Sequence, residues 1–386
     1  MNKRLLKLTA AFTIVGCLTG CWNSRELDTL SVLIGVGIDK TDDFRMVNVT
    51  AQIANPSNIK TSEDREASSQ EAYWNLQMSA ENVFVALRDC TFSASRKLYI
   101  GQNQIILLGE DLAKAGLQKY MDFFLRDPEA RLNEYVVVAK GKAADILDVK
   151  PELEKLPALN IQNLIDIHFA TSQVVSIRLI DFSSAIASGT TSAVAPMIEI
   201  DGFGEDKKLK MSGTAVFKDY KLAGELDPFE TRGYLWVVDK VKSGVLNVSS
   251  KNGETALEII RSKSKMTPVL KDDGSFSIKL SVKTDVNLGS QEGWDDFLLS
   301  EDRTFVENRA AKAIESDIMA CLDKAGELGT DIFGFGEAIR RKYPRQWNSV
   351  KDDWENIFPD IEVELETNVK LRGTGEFIRS VFPERG

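Results

Sequence analysis

The sequence predicts an α+β fold of more than one domain, in which mixed sheets pack against amphipathic helices. Segments typical of strands and helices alternate through the first half of the 386-residue chain, which indicates mixed sheets covered by helices. Two hairpin signals, Asn252-Gly253 and Asp273-Gly274, lie between alternating apolar runs and predict a mainly antiparallel second half. Apolar residues make up 43% of the chain, so a substantial core can form.

The first half opens with two predicted strands, at 30–39 and 47–53, which a polar turn separates. A polar stretch at 56–71 predicts a loop. Ser79 is placed to cap a helix that extends to residue 89, and a long amphipathic helix is expected at 111–125. The other elements predicted in this half are strands at 97–100, 104–108 and 135–139 and helices at 143–147, 161–171 and 179–187.

Residues 202–210 contain two glycines and a run of charges, which predicts a linker between domains. Residues 21–201 would form an N-terminal mixed α/β domain, which could divide into subdomains, and residues 211–386 a C-terminal α+β domain. The elements predicted in the second half are a strand at 211–217, a helix at 231–242 that Gly233 weakens, the hairpin arms at 245–248, 256–260 and 276–286, a long helix from Ser300 to a stop at Gly326, a helix at 344–358 and a final strand at 361–371.

The N-terminal residues are typical of a bacterial lipoprotein signal peptide. Three basic residues precede a short apolar run that ends at Leu18-Thr19-Gly20, and Cys21 follows. Such a run is too short to cross a bilayer as a helix. We therefore predict that residues 1–20 are removed and that Cys21 carries a lipid of the diacylglyceryl or palmitate type. The alternative is a plain secretory signal with a chance cysteine, as Cys17 is.

The net charge argues against a nucleic-acid-binding protein, and the remaining cysteines argue against a disulfide-rich one. Removal of the basic leader changes the formal charge from -10 to -13, and an acidic chain is a poor ligand for nucleic acid. Cys90 and Cys321 each follow apolar residues at helical spacing, which favours two free thiols in separate cores over a disulfide. The sole histidine, His168, also lies on an apolar helical face and is expected to be structural.

The sequence lacks the motifs of the common enzyme classes. It has no Walker A sequence and no G-x-S-x-G nucleophile motif. Its single histidine and few cysteines also exclude the usual zinc-ligand spacings. The two S-x-x-K matches, which begin at Ser57 and Ser262, are expected by chance. We therefore expect a protein that is not an enzyme, with no cofactor, no catalytic residue and no bound metal.

Several motifs resemble those of the spore germination protein C family, Ger(x)C, in the same order and over nearly the whole mature chain. The motifs that carry the resemblance are Cys21-Trp22-Asn23-Ser24-Arg25-Glu26-Leu27, Gly35-Val36-Gly37-Ile38-Asp39, Arg96-Lys97-Leu98-Tyr99, Gly109-Glu110-Asp111-Leu112-Ala113-Lys114, Arg126-Asp127-Pro128-Glu129-Ala130-Arg131, Gly213-Thr214-Ala215-Val216-Phe217 and Asp331-Ile332-Phe333-Gly334-Phe335-Gly336 with Trp347 and Trp354 after it. The last of these is the most specific.

The resemblance implies a location and partners. Members of this family are lipoprotein C subunits of nutrient germinant receptors, held at the outer face of the inner spore membrane. They act with an A subunit, which has large soluble parts, and with a B subunit that resembles an amino-acid permease. This chain is therefore expected to support receptor assembly or signal transmission in spore germination. The alternative is a solute-binding lipoprotein that delivers a small nutrient to a permease-like partner.

Three residues are candidates for contact with those partners. Aromatic and arginine side chains dominate the energetics of many interfaces, and Trp347 lies on one face of the predicted helix at 344–358, with a place in the core as the alternative. Arg126 and Arg131 flank the motif at 126–131 and are further interface candidates, with surface ion pairing as the alternative. For Trp354 a place in the core is favoured.

Overall fold

The structure is a computed structural model, and it describes residues 29–59, 71–293 and 295–374. Two sheets with helices packed against them organise this part of the chain, which confirms the α+β fold. The elements of the first half are β1 (Leu30–Lys40), β2 (Val47–Ala54), β3 (Tyr73–Ala80), α1 (Val83–Asp89), β4 (Lys97–Tyr99), β5 (Ile105–Gly109), α2 (Glu110–Ala115), α3 (Gln118–Arg126), β6 (Tyr135–Ala139), α4 (Ala143–Leu147), α5 (Pro157–Asp166), α6 (Leu179–Ser188) and β7 (Val194–Asp201).

The first sheet has nine strands in the order β3-β2-β1-β5-β6-β7 and then the hairpin β8 (Lys208–Lys218) and β9 (Lys221–Leu226), while the short β4 pairs with β1. Strands β1, β5, β6 and β7 run parallel to one another, and the strands at both flanks are antiparallel. Helices cover both faces: α1, α3 and α6 pack on one core cluster, and α4 and α5 pack on another. The parallel centre is therefore buried on both sides, as parallel strands require.

The second sheet is built from the remaining strands, and its core is the third cluster. The elements here are α7 (Pro228–Val237), β10 (Val245–Ser249), β11 (Glu254–Leu270), β12 (Phe276–Gln291), α8 (Ser300–Leu328), α9 (Phe335–Lys342), α10 (Pro344–Val350), α11 (Trp354–Ile357) and β13 (Glu362–Gly373). The order is β10-β11-β12-β13, with two antiparallel pairs and β13 parallel to β12. Both predicted hairpins are present, so the second half is mainly antiparallel.

The sheet continues across the predicted linker. Strands β7 and β8 pair antiparallel from Val194↔Val216 to Asp201↔Lys208, and residues 202–207 form the turn between them. The charged residues that suggested a linker instead form ion pairs between the two strands, since Lys210 Nζ in β8 lies 3.8 Å from Glu199 Oε1 in β7. The predicted linker is thus a hairpin turn within one sheet, while the division of the chain into two domains stays a prediction.

Four helix predictions need correction. Ser79 lies in β3 and caps no helix; α1 begins after Asn82, whose side chain accepts the Val85 N–H at 2.9 Å. The helix expected at 111–125 is broken at Gly116, which has a φ of +121° that favours glycine. The long helix α8 ends at the left-handed Gly329, one turn beyond the predicted stop. The helix expected at 344–358 is likewise divided into α10 and α11.

Helices α7 and α8 cross at Gly233, the residue that weakened the helix prediction. A Cβ atom there would lie 2.0 Å from the backbone oxygen of Asp317, so only glycine allows this approach. Beside it Arg232 and Asp317 form a buried ion pair, with Arg232 Nε donating to Asp317 Oδ2 at 2.7 Å. The indole Nε1 of Trp236 donates to the same carboxylate at 3.3 Å. These contacts fix the position of α7 against α8 in the core of the second sheet.

Candidate functional site

The first question is whether the carboxyl ends of the parallel strands form a ligand site, as they do in many open α/β sheets. Asp39, at the end of β1, is buried there, and its two carboxylate oxygens accept the N–H groups of Ala143 and Ala144 at 2.8 and 2.9 Å. These donors begin α4, where an anionic ligand would otherwise bind. Burial raises the pKa of Asp39, against the lowering effect of the two N–H donors. The protein's own carboxylate occupies this position.

The glycines around Asp39 let neighbouring elements approach β1. A Cβ at Gly109 would lie 2.1 Å from Asp39 Oδ1. On the face of the sheet that α4 and α5 cover, a Cβ at Gly35 would lie 2.7 Å from Ala158, and a Cβ at Gly37 would lie 3.0 Å from Leu147. The motif at 35–39 and the glycine that opens the motif at 109–114 therefore serve packing of the sheet against its helices.

The closing motif at 331–336 is organised by one buried carboxylate. Asp331 Oδ1 accepts the N–H groups of Gly334 and Phe335 at 2.9 and 3.0 Å, and Oδ2 accepts that of Gly336 at 2.7 Å. Oδ2 also accepts the indole N–H of Trp354 at 3.2 Å. Burial raises the pKa of Asp331 to about 6, against these four donors, which lower it. Asp331 thereby holds the start of α9 and ties α11 to it.

Trp347 lies inside this cluster and not on a docking surface. Its side chain is only 4% exposed, and its ring packs edge-on against Trp354 with centroids 5.2 Å apart. A Cβ at Gly336 would lie 2.9 Å from Trp347 and 2.8 Å from Trp354, so this glycine makes room for both rings. Trp347 therefore lies in the core, which was the alternative to a partner contact, and Trp354 lies in the core position favoured for it.

The motif at 126–131 does lie at the surface. Arg126 is exposed and pairs with Asp122 one turn earlier on α3, with Nε and Oδ1 2.8 Å apart, so the surface pairing weighed as the alternative is present. Arg131 is also exposed, and its backbone N–H donates to the Glu134 carboxylate at 3.2 Å. Asp127 accepts the N–H of Glu129 at 2.8 Å, which fixes the turn.

This turn forms one wall of an apolar groove between α1 and α3. Lys97 in β4 bonds to Glu129 at 2.6 Å and so links the motif at 96–99 to the motif at 126–131. The groove comprises two adjoining cavities of about 160 and 350 Å³. Both cavities are lined by Phe84 and Phe123, whose rings lie 5.7 Å apart, and by Asp127 and Pro128. The two surface motifs of the first half thus meet at one groove, which the sequence did not reveal.

Glu134 stabilises the turn at 126–131 by accepting the backbone N–H of Arg131. It is buried, and Asn103 Nδ2 donates to its carboxylate at 2.7 Å. Burial raises the pKa of Glu134 to about 7, against the lowering effect of its hydrogen bonds and of Arg131. Nothing in the local sequence distinguishes this glutamate from surface acids, because its burial depends on the approach of the loop that carries Asn103.

The other candidate residues are structural in the described part of the chain. His168 Nδ1 donates to the carbonyl of Ile165 at 2.7 Å. Cys90 and Cys321 are buried free thiols in different core clusters, as predicted, and burial raises the pKa of Cys90 to about 11. Within residues 29–59, 71–293 and 295–374, no group of three or more histidine, cysteine or acidic side chains is placed to hold a metal, and no helix is long and apolar enough to span a membrane. Cys21 lies outside the described residues.

Comparison with known proteins matches both halves of the chain to family models. The model described as "Spore germination protein N-terminal domain" matches residues 23–200, and "Spore germination B3/GerAC like, C-terminal" matches residues 212–375.

Relatives of similar length are found in Bacillus subtilis (strain 168). Spore germination protein KC is 27% identical over 401 residues, which cover 97% of each chain. Spore germination protein B3 is 28% identical over 97% of this chain and 99% of its own, and spore germination protein A3 is 27% identical over 96% and 98%. Among solved structures, the crystal structure of the GerBC protein matches with a TM-score of 0.56 and 25% identity over 87% of this chain and 96% of its own.

Proposed function

Because the chain belongs to the GerAC-like family of spore germination proteins, we propose that it is the lipid-anchored, non-enzymatic C subunit of a spore nutrient germinant receptor. The observation that carries this proposal is the match of the two family models in order, one to each half of the chain. The lipoprotein signal that precedes Cys21 supports attachment to a membrane, and the location we propose is the outer face of the inner spore membrane.

The geometry supports a role in assembly or signal transmission. The residues of the motifs at 35–39 and 331–336 pack against helices or accept hydrogen bonds from the N–H groups that begin them. The glycine that opens the motif at 109–114 packs against Asp39. Asp39 fills the position in which a solute-binding protein with this parallel sheet centre would hold an anionic ligand. This arrangement favours the receptor subunit over the alternative of a solute-binding lipoprotein that delivers a nutrient to a permease-like partner.

The partners we propose are an A subunit and a permease-like B subunit of the same receptor. Arg126 and Arg131 stay candidates for contact with them, because both are exposed and Arg126 lines the groove between α1 and α3. Trp347 is buried and is therefore not among these candidates.

Co-purification tests the proposal. The tagged full-length chain is isolated from solubilised spore membranes, and an A-type and a permease-like B-type protein are expected to accompany it. Arg126→Ala/Arg131→Ala is expected to reduce their recovery. The matched control Arg261→Ala/Arg372→Ala, which removes two exposed arginines from the second sheet, is expected to leave recovery unchanged. Absence of both partners from the unmodified preparation would contradict the receptor assignment, whereas equal recovery from both variants would contradict only the arginine interface.

A further inference from the structure

A second concave site lies at the end of the first sheet, and its charge is opposite to that of the chain. It is a cleft of about 620 Å³, a size typical of small-molecule sites. We call it the lysine cleft because four lysines line it: Lys40, Lys119, Lys218 and Lys221. Asp219 is the one carboxylate among the described lining residues, so the lining carries a charge of +3 in a chain whose formal charge is -10.

The floor of the lysine cleft is held by backbone contacts. The N–H of Leu117 donates to the carbonyl of Tyr220 at 2.8 Å, which joins the α2–α3 corner to the turn between β8 and β9. Gly116 packs against Lys221 in a conformation that favours glycine, with a φ of +121°. Lys119 Nζ donates to the carbonyl of Phe44 at 3.0 Å, which ties the turn between β1 and β2 to the same corner. The cleft is therefore largely formed before any ligand binds.

The four lysines of the cleft differ in how far the protein neutralises their charge. Lys218 and Lys221 are directly opposite each other in the β8–β9 hairpin, and like charges at such positions are destabilising. Lys218 has an ion-pair partner in Glu355 at 2.9 Å. For Lys40 and Lys221, no carboxylate lies within ion-pair distance among the residues that the structure describes. Both side chains are exposed, so their ammonium groups can reach a ligand.

The apolar part of the lining limits the kind of ligand. Tyr120, Tyr220 and Met46 line the cleft together with Phe44, whose ring is 79% exposed. A compact anion can therefore pair its charges with lysines while its body contacts aromatic rings. The position of the lysine cleft along β1 is a separate observation. Lys40 ends the 11-residue β1, about 33 Å along the strand from Leu30 at its other end. The cleft is thus remote from the end that leads to Cys21.

We propose that the lysine cleft binds a small molecule that carries two or more carboxylate or phosphate groups. The ammonium groups of Lys40 and Lys221 neutralise the anion, whereas the ammonium group of Lys218 stays paired with Glu355. Free multivalent anions and phospholipid headgroups share this chemistry. The proposal is independent of the receptor assignment, because it depends only on the cleft.

Thermal unfolding of the full-length chain in a non-ionic detergent tests the proposal. Citrate and inorganic pyrophosphate, each titrated at constant ionic strength, are expected to raise the Tm in a saturable manner, since a ligand of the folded state stabilises it. Lys40→Gln/Lys221→Gln is expected to weaken the apparent Kd roughly tenfold or more, from the loss of two charge-assisted contacts. Lys40→Arg/Lys221→Arg keeps both charges and is expected to retain binding.

A matched control separates the site from general ionic effects. Lys312→Gln/Lys351→Gln removes the same charge from two exposed lysines outside the cleft and is expected to leave the Kd unchanged. An equal response in all variants, or no saturable response in the unmodified protein, would overturn the proposal. A shift that needs mixed micelles of cardiolipin, whose headgroup carries two phosphates, fails with phosphatidylcholine and is lost in the Lys40→Gln/Lys221→Gln variant would support the site and assign its ligand as a lipid headgroup.

Discussion

Asp331→Ala is expected to destabilise the protein by about 3–5 kcal/mol. The substitution leaves four buried donors without their acceptor: the N–H groups of Gly334, Phe335 and Gly336 and the indole N–H of Trp354. Each buried group left unsatisfied costs roughly 1–3 kcal/mol. The side chain of Asp331 is only 5% exposed, so water cannot readily replace it. Equilibrium unfolding in denaturant measures the effect.

The matched control for this substitution is Asp352→Ala. Asp352 lies in the same region of the chain but is exposed, and its removal is expected to change stability by no more than about 0.5 kcal/mol. Trp354 fluorescence gives a second readout, because loss of its hydrogen bond to Asp331 should alter the environment of the indole even below the unfolding transition. A free energy of unfolding for Asp331→Ala within about 1 kcal/mol of the unmodified chain would contradict the role assigned to this carboxylate.

Asp317→Ala is expected to cost a similar amount, about 3–5 kcal/mol, because it leaves the buried guanidinium of Arg232 without its counter-charge. The two side chains are each 9% exposed and are joined by hydrogen bonds of 2.7 and 3.2 Å. Arg232 keeps its contacts with the carbonyl of Val245, at 3.1 Å, and with the ring of Phe229, whose centroid lies 5.6 Å from Cζ. Neither a carbonyl dipole nor a ring compensates a buried charge as a carboxylate does. Chemical denaturation of the single variant provides the measurement.

The double substitution Arg232→Met/Asp317→Leu distinguishes an unpaired charge from a loss of packing. Replacement of a buried ion pair by apolar residues of similar volume is often neutral or stabilising. The double variant is therefore expected to be more stable than Asp317→Ala, although the Trp236 indole loses its acceptor in both. If the double variant were less stable than the single one, packing rather than charge would account for the loss at this helix crossing.

Sequence periodicity predicted most elements because their apolar faces repeat regularly along the chain. The hairpin signals at Asn252-Gly253 and Asp273-Gly274 gave the right pairing, since the turn geometry is local. Errors arose where a distant element decides the outcome. Residues 73–80 become a strand because β2 offers a partner, and the charge run after residue 206 belongs to a strand whose lysines pair with acids on β7.

The candidate site was predicted in part. The exposed positions of Arg126 and Arg131 follow from the polar turn that they flank. The place of Trp347 stayed open, because an amphipathic helix pattern does not reveal whether its apolar face meets the core or a partner; in the structure Trp347 is buried against Gly336 of α9. The function of Asp331 was missed, although three of its four donors follow it by three to five residues in the chain; only the Trp354 indole becomes a neighbour when the chain folds back.

The measurement that tests the central claim most directly is membrane fractionation and nutrient germination of spores that carry Cys21→Ala. The matched control is Cys17→Ala, which changes a cysteine inside the apolar run and should leave both properties intact. We expect the Cys21 variant to lose its membrane attachment, since a lipid of two or more chains supplies the stable anchor, and the spores to lose their response to nutrient. Continued membrane attachment together with normal germination would contradict the account of a lipid-anchored receptor subunit.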